Sequence, residues 1–281
     1  MNRESRVVTA AVVLVLFGVG ACGIELPAIS VAPLVAWVEL GPGGDYSGSF
    51  TVSNLGQEVT TLNIALCDFT LTETGGFITL DPGTLGERSL SPYLRYSPER
   101  LTLEPGEARE VSYSFTLPPE ATGPHWVALV VTPEATQEVE VEAEGGEGLG
   151  LTVQIEASYA FTLIQRPPNP PTPAGQVVKM EVKGATAEDG SRQVMVAVAF
   201  QNLVEDVLRC KVYFEIRDAQ GTTIASYEMP EERVVLPGAL RVFTHTFEGL
   251  EMPPGEYLIL GVVDFGGDYL AAGQYLATVR E

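Results

Sequence analysis

Three cysteines and two histidines are all this 281-residue chain offers in the way of soft metal ligands and imidazole bases. They are scattered: Cys22, Cys67, His125, Cys210 and His245. A zinc site needs Cys and His in closely spaced pairs, and none occurs. His125 stands directly before Trp126, after the turn Thr122-Gly123-Pro124, and reads as the first residue of a strand rather than a general base. No Gly-x-Ser-x-Gly elbow, phosphate-binding loop or EF-hand loop is present. Carboxylates are so plentiful that no pair stands out as a glycosidase dyad. Asp264, Gly266, Gly267 and Asp268 read as a hairpin turn, with a weak calcium site as the alternative. The expectation is a chain that is not an enzyme and carries no cofactor or metal.

The elements that would position any site are strands. Val111, Tyr113, Phe115 and Leu117 alternate with Ser112, Ser114 and Thr116, and Val194, Val196, Val198 and Phe200 alternate in the same way. Period two buries one face and wets the other, as in the layers of an antiparallel sandwich. No long stretch repeats apolar residues at helical spacing. Glycine and proline together number 49 and fall mostly between the strand-like runs. Cys67 and Cys210 lie inside such runs and read as small buried hydrophobes, so no disulfide framework is expected. Trp37 and Trp126 read as core residues.

One pattern is written twice. Phe50 to Asn54, the Leu103-Glu104-Pro105-Gly106 turn and Leu117-Pro118-Pro119 are matched by Val198 to Asn202, Val235-Leu236-Pro237-Gly238 and Met252-Pro253-Pro254. Between the copies, Pro167 to Pro173 holds five prolines in seven residues, a stiff extended spacer that cannot pair in a sheet. The fold class is therefore all-β: two tandem Ig-like antiparallel sandwiches, residues 23–165 and 174–281, joined by a Pro-rich linker at 166–173. Two stretches lengthen the first copy: an insertion at 72–97, of a length that is often functional or mobile, and an acidic run at 134–150. The latter, with Glu138, Glu140, Glu142, Glu144 and Glu147, reads as a solvated loop, with a charged hairpin as the alternative.

Residues 1–22 read as an export signal: Arg3 and Arg6, an uncharged core from Val7 to Val19, then small residues. That core is too short to span a bilayer, and no second long apolar run follows. Val19-Gly20-Ala21-Cys22 resembles the lipobox of bacterial lipoproteins, which implies a lipid on the Cys22 thiol. Ordinary cleavage at the same bond or near Ala28 is the alternative. Acidic residues outnumber basic ones 37 to 16, a net charge of −21, which disfavours nucleic acid and anionic lipid as partners. Any membrane link would run through the N-terminal lipid alone.

At Asn54, at Leu103 to Gly106 and at Tyr159 to Pro167, the first copy resembles the N-terminal Ig-like domain of periplasmic pilus chaperones (PapD-like). In that family an Arg on the first strand and a Lys on the last bind the client's terminal carboxylate. Their positions fall at Val35 and Thr162, both uncharged, so the resemblance implies the scaffold without that anchor. A second part of the family's logic concerns the strand after the acidic run, where Leu151, Val153, Ile155 and Ala157 alternate with polar residues. At a sheet edge this strand would accept a partner's strand; otherwise these residues face their own core. The reading is a non-enzymatic exported envelope protein, periplasmic or at the cell surface, with a structural, adhesive or protein-binding role and an unidentified protein partner. The alternative is a periplasmic assembly chaperone that binds a partner strand. A sugar-binding module is a more distant third reading, resting on Trp37, Tyr93 and Tyr96.

Overall fold

A computed structural model describes residues 28–134, 137–141, 151–155, 157–186 and 192–280. Among them the only helical turn is a 3-10 turn at Gly86–Arg88, and the rest is strand and connection. The chain divides into two compact units. One comprises the chain up to Phe69 with Thr79–Pro168; the other comprises Thr70–Ile78 with Asn169–Glu281.

Twelve strands precede Pro167: β1 (Ile29–Ala32), β2 (Val35–Glu39), β3 (Asp45–Asn54), β4 (Thr60–Leu71), β5 (Phe77–Leu80), β6 (Leu94–Ser97), β7 (Arg100–Leu103), β8 (Ala108–Thr116), β9 (His125–Pro133), β10 (Gln137–Val141), β11 (Leu151–Ile155) and β12 (Tyr159–Arg166). One sheet runs β1-β3-β8-β6; the facing sheet runs β2-β12-β9-β4-β5, with β7 also on β4. The chain changes sheets at Pro33, which has no N–H to continue the β1 ladder. The alternation on β8 works as expected: Val111, Tyr113 and Phe115 are buried while their neighbours are exposed. They share one inner face with Phe50 and Val52 of the neighbouring β3 and meet Phe161 and Leu163 of β12 across the sandwich, where the Phe50 and Phe161 rings stack at 4.4 Å. Each fully buried Phe or Leu stabilises the fold by about 1.5–3 kcal/mol.

Eight strands follow: β13 (Gly175–Thr186), β14 (Arg192–Asn202), β15 (Leu208–Asp218), β16 (Thr223–Glu228), β17 (Arg233–Val235), β18 (Leu240–Leu250), β19 (Gly255–Asp264) and β20 (Ala271–Val279). They form sheets β13-β14-β18 and β16-β15-β19-β20, with β17 on β15. A separate core fills this sandwich, built from Val196, Val198, Phe200, Val212, Phe214, Ile216, Ile259 and Val263. Gly261 permits the close approach of the two sheets, since a Cβ there would sit 2.2 Å from Val198 Cγ2.

The duplicated Asn has a duplicated task. Asn54 is buried; its amide donates to the carbonyls of Glu58 (2.7 Å) and Leu103 (3.1 Å), and its Oδ1 accepts from Gly56 N–H. Asn202 is equally buried and donates to Asp206 (2.8 Å), Val235 (3.1 Å) and Leu236 (3.0 Å), while its Oδ1 accepts from Val204 N–H. In both copies the side chain ties a strand end to the Pro-Gly turn. Gly106 and Gly238 take the left-handed backbone that such a turn demands, at φ 77° and 67°.

Three expectations about the first copy change. The 72–97 insertion contributes β5 and β6, and its middle is packed cover rather than a mobile loop. Leu90 is fully buried, its N–H bonds the Trp126 carbonyl, and β9 is thereby buried on both faces. In the acidic run, Gln137–Val141 is strand β10, antiparallel to β11. Glu138 and Glu140 alternate there with Val139 and Val141, which is strand spacing. Trp126 is core, its indole N–H donating to the Phe69 carbonyl at 3.0 Å. Trp37 is only half-buried, because β2 ends its sheet.

Candidate interaction surfaces

The parallel pairing of β2 with β12 sets Val35 opposite Thr162. These are the two positions at which the sequence resemblance expects the cation pair, and the fold brings them together. Thr162 donates its N–H (2.8 Å) and its hydroxyl (3.2 Å) to the Leu34 carbonyl, so its polar groups serve the backbone. Leu34 and Val35 are exposed. This corner presents apolar side chains and no cation that could hold a carboxylate.

Along β12, Gln165 is buried and connects three segments. Its Nε2 donates to the Leu40 carbonyl at 2.6 Å, and its Oε1 accepts from His125 N–H at 3.1 Å. The same oxygen lies 2.9 Å from His125 Nδ1. Because Gln165 Oε1 can only accept, Nδ1 carries the imidazole proton in the neutral ring. Burial holds the His125 pKa below the usual histidine value; the Gln165 bond opposes this, and the Arg88 charge adds to the depression. His125 is thus held in its neutral form and tethered to Gln165. His245 stacks face to face on Tyr227, ring centres 3.7 Å apart, and is also held low by desolvation.

The predicted edge residues lie as follows. Leu151 pairs with Val141, Val153 with Val139 and Ile155 with Gln137, in a two-stranded sheet of β10 and β11 alone. Among the described strands, each of the two therefore has one edge without a neighbour. Ala157 is half-buried in the connection from β11 to β12. Cys22 lies outside the described residues.

Cys67 and Cys210 are free and buried. Burial, with help from Asp68, pushes the Cys67 thiol up to about 11; burial, with help from Asp264, pushes Cys210 to about 12. Neither is poised as a nucleophile, since reactivity belongs to the thiolate. Asp264 Oδ1 accepts the Gly266 N–H at 3.0 Å, and Gly266 has φ 77°, so this segment is a hairpin turn stabilised by its own aspartate. Among the described residues no group of three or more His, Cys, Asp or Glu is arranged to hold a metal. Of the aromatics considered for sugar binding, Tyr96 spends its hydroxyl on the Ile64 carbonyl at 3.0 Å.

One buried cluster had no signal in the sequence. Asp68 is fully buried and accepts three bonds: from Leu85 N–H (2.9 Å), Ser89 Oγ (2.8 Å) and Ser91 Oγ (2.5 Å). A buried carboxylate is stable when donors saturate it, and here those donors belong to the cover over β9. The cluster anchors structure and is closed to ligands.

No protein-family model and no characterised protein sequence matches the chain. Solved structures that resemble it include fimbrial chaperones and a PapD-like domain of human CEP192. The class 5 fimbriae chaperone CfaA is 10% identical with a TM-score of 0.37, covering 90% of this chain and 100% of its own. The Pseudomonas aeruginosa CupB2 chaperone is 12% identical with a TM-score of 0.38, covering 89% and 100%. The CsuC–CsuE chaperone–tip adhesion subunit complex of Acinetobacter baumannii Csu pili gives 10% and 0.41, covering 88% and 97%. Likeness at that distance carries no argument about what this chain binds.

Proposed function

We propose that the protein is an exported, non-enzymatic component of the cell envelope that holds a partner protein by adding the partner's strand to the edge of β11. The observation that carries this is the pairing of β10 and β11 with each other alone among the described strands. A two-stranded ribbon is marginally stable in water and gains from a third strand, whose main-chain bonds supply affinity while alternate residues supply specificity. The alternation of Leu151, Val153 and Ile155 with Thr152 and Gln154 fits one apolar and one polar face. The neutral Val35–Thr162 corner means that the partner is held without a carboxylate anchor. Nothing in the chemistry of the two histidines, the free thiols or Asp68 supports catalysis.

Val153→Lys and Ile155→Lys test the reading. Each is expected to abolish one-to-one co-purification with the partner from the envelope while leaving thermal unfolding unchanged. A protein that is equally stable and monomeric with or without its envelope, and that retains every contact in Val153→Lys, would instead be structural or adhesive. Intact-mass analysis of the mature chain tests the export: removal of the N-terminal signal is expected, with a diacylglyceryl adduct on Cys22 marking a tethered form, and a chain that keeps residues 1–21 would contradict it.

A further inference from the structure

The seam between β13 and β20 closes at one end and opens at the other. At the closed end, a Cβ on Gly273 would meet Met180 Sδ at 3.0 Å and Val177 Cγ1 at 3.3 Å. Along β20 the inward row continues from buried Ala271 and Gly273 to Tyr275, which is 45% exposed although it sits on the core-facing side of the alternation. Ala277 and Val279 extend that row and are only half-buried, as is Val182 on β13. The space between is a groove of about 740 Å³, with Val194, Met252 and Ile259, all buried, among its lining residues. Among the described strands β20 pairs only with β19, and β13 only with β14. Both therefore turn an unpaired backbone edge toward the groove.

These features define an occupant. The apolar lining favours aliphatic side chains at alternate positions. The unpaired N–H and C=O groups call for another peptide backbone, which an acyl chain cannot supply. Among the described residues, the charged ones lining the groove are Arg192 and Arg280, two cations in a chain whose net charge is −21. Gln193, also in the lining, is engaged with Glu248 at 3.0 Å. From Tyr275 to Arg280 the open edge offers about 20 Å for pairing, at roughly 3.3 Å per residue. We propose that this groove takes an extended strand of a partner protein, apolar at every second residue and acidic between. The site is separate from β11 and does not depend on the reading given for that strand.

The probe is a fluorescein-labelled acetyl-Val-Glu-Val-Glu-Val-Glu-Val amide, with a twin in which Lys replaces Glu, titrated with the full chain and followed by fluorescence anisotropy. The acidic peptide is expected to bind about tenfold more tightly than the basic one. Arg280→Glu, at an exposed position, should erase that preference, since it leaves Arg192 balanced by one carboxylate. Ala277→Trp should fill the groove and abolish binding of both peptides, with Arg280→Glu keeping the question decidable if the Trp variant folds poorly. Val153→Lys should leave every affinity unchanged. Equal affinities for the two peptides, or no binding, would overturn the proposal. So would displacement of the peptide by laurate, which would mark an acyl-chain site, or self-association of the unliganded chain that Ala277→Trp dissolves, which would assign the groove to a second copy.

Discussion

Asn54 and Asn202 occupy the same place in the two copies, but the first amide donates to two carbonyls and the second to three. The units diverge further in how they cover their strands. The first buries β9 on both faces beneath a segment pinned by Asp68; the second leaves the β13–β20 seam open over buried aliphatics. The lesson is that duplication preserved the internal ties, an Asn and a Pro-Gly turn per sandwich, while the covers diverged. Surfaces free to diverge are where binding sites arise on a rigid scaffold.

The sharpest way to break this comparison is to remove the ties. Asn202→Ala removes the amide donor from three carbonyls, of which Leu236 keeps the Ala239 N–H, and is expected to destabilise its unit by about 3 kcal/mol, and Asn54→Ala by about 2 kcal/mol. Calorimetry should show a different transition moving in each variant; equal shifts of one shared transition would contradict two independent cores. Asp68→Ala removes the shared acceptor of Leu85 N–H and the Ser89 and Ser91 hydroxyls and should cost about 2 kcal/mol, with faster amide exchange in residues 81–93. Tyr257→Phe removes a hydroxyl bond to the Pro253 carbonyl of 2.7 Å and should cost about 1 kcal/mol in the second unit alone.

Acidification gives a smaller effect. Burial holds both histidines below the ordinary value of 6.5, so just below that pH the unfolded chain binds more protons than the folded one. Stability should therefore fall as pH drops through about 6.5 and on toward the folded-state values. His125→Gln should flatten this dependence more than His245→Gln, because His125 is the more deeply buried. Least perturbing of all is a thiol titration. In a Cys22→Ser background, Cys67 and Cys210 should resist a disulfide reagent at pH 8 until the chain is denatured, and rapid modification of the native protein would show that either strand opens.

Much of this fold was legible because its signals are local. Val111, Tyr113 and Phe115 alternate within five residues, and the turn Pro-Gly dipeptides stand beside the strands they join. The repeated Asn could be read as a marker, but its bonds to carbonyls 49 and 33 residues away could not. Asp68 looked like one acid among many, since its partners Ser89 and Ser91 lie 21 and 23 residues on. Strand β10 was hidden by its charge: glutamates at alternate positions suit a solvated loop and the wet face of a strand equally well. Trp37 was read as core from residue type alone, and the end position of β2 leaves it half-buried. The open seam has no sequence signature, because Tyr275 keeps the inward phase of its strand and only the missing neighbour exposes it.

The proposed role turns on β11, and backbone hydrogen exchange of the protein alone and in complex with its co-purified partner tests it most directly. Strand addition predicts that amides within Leu151–Ile155 gain protection in the complex, and that Val153→Lys removes both the protection and the complex. Unchanged exchange across β11 in a stable complex would contradict it.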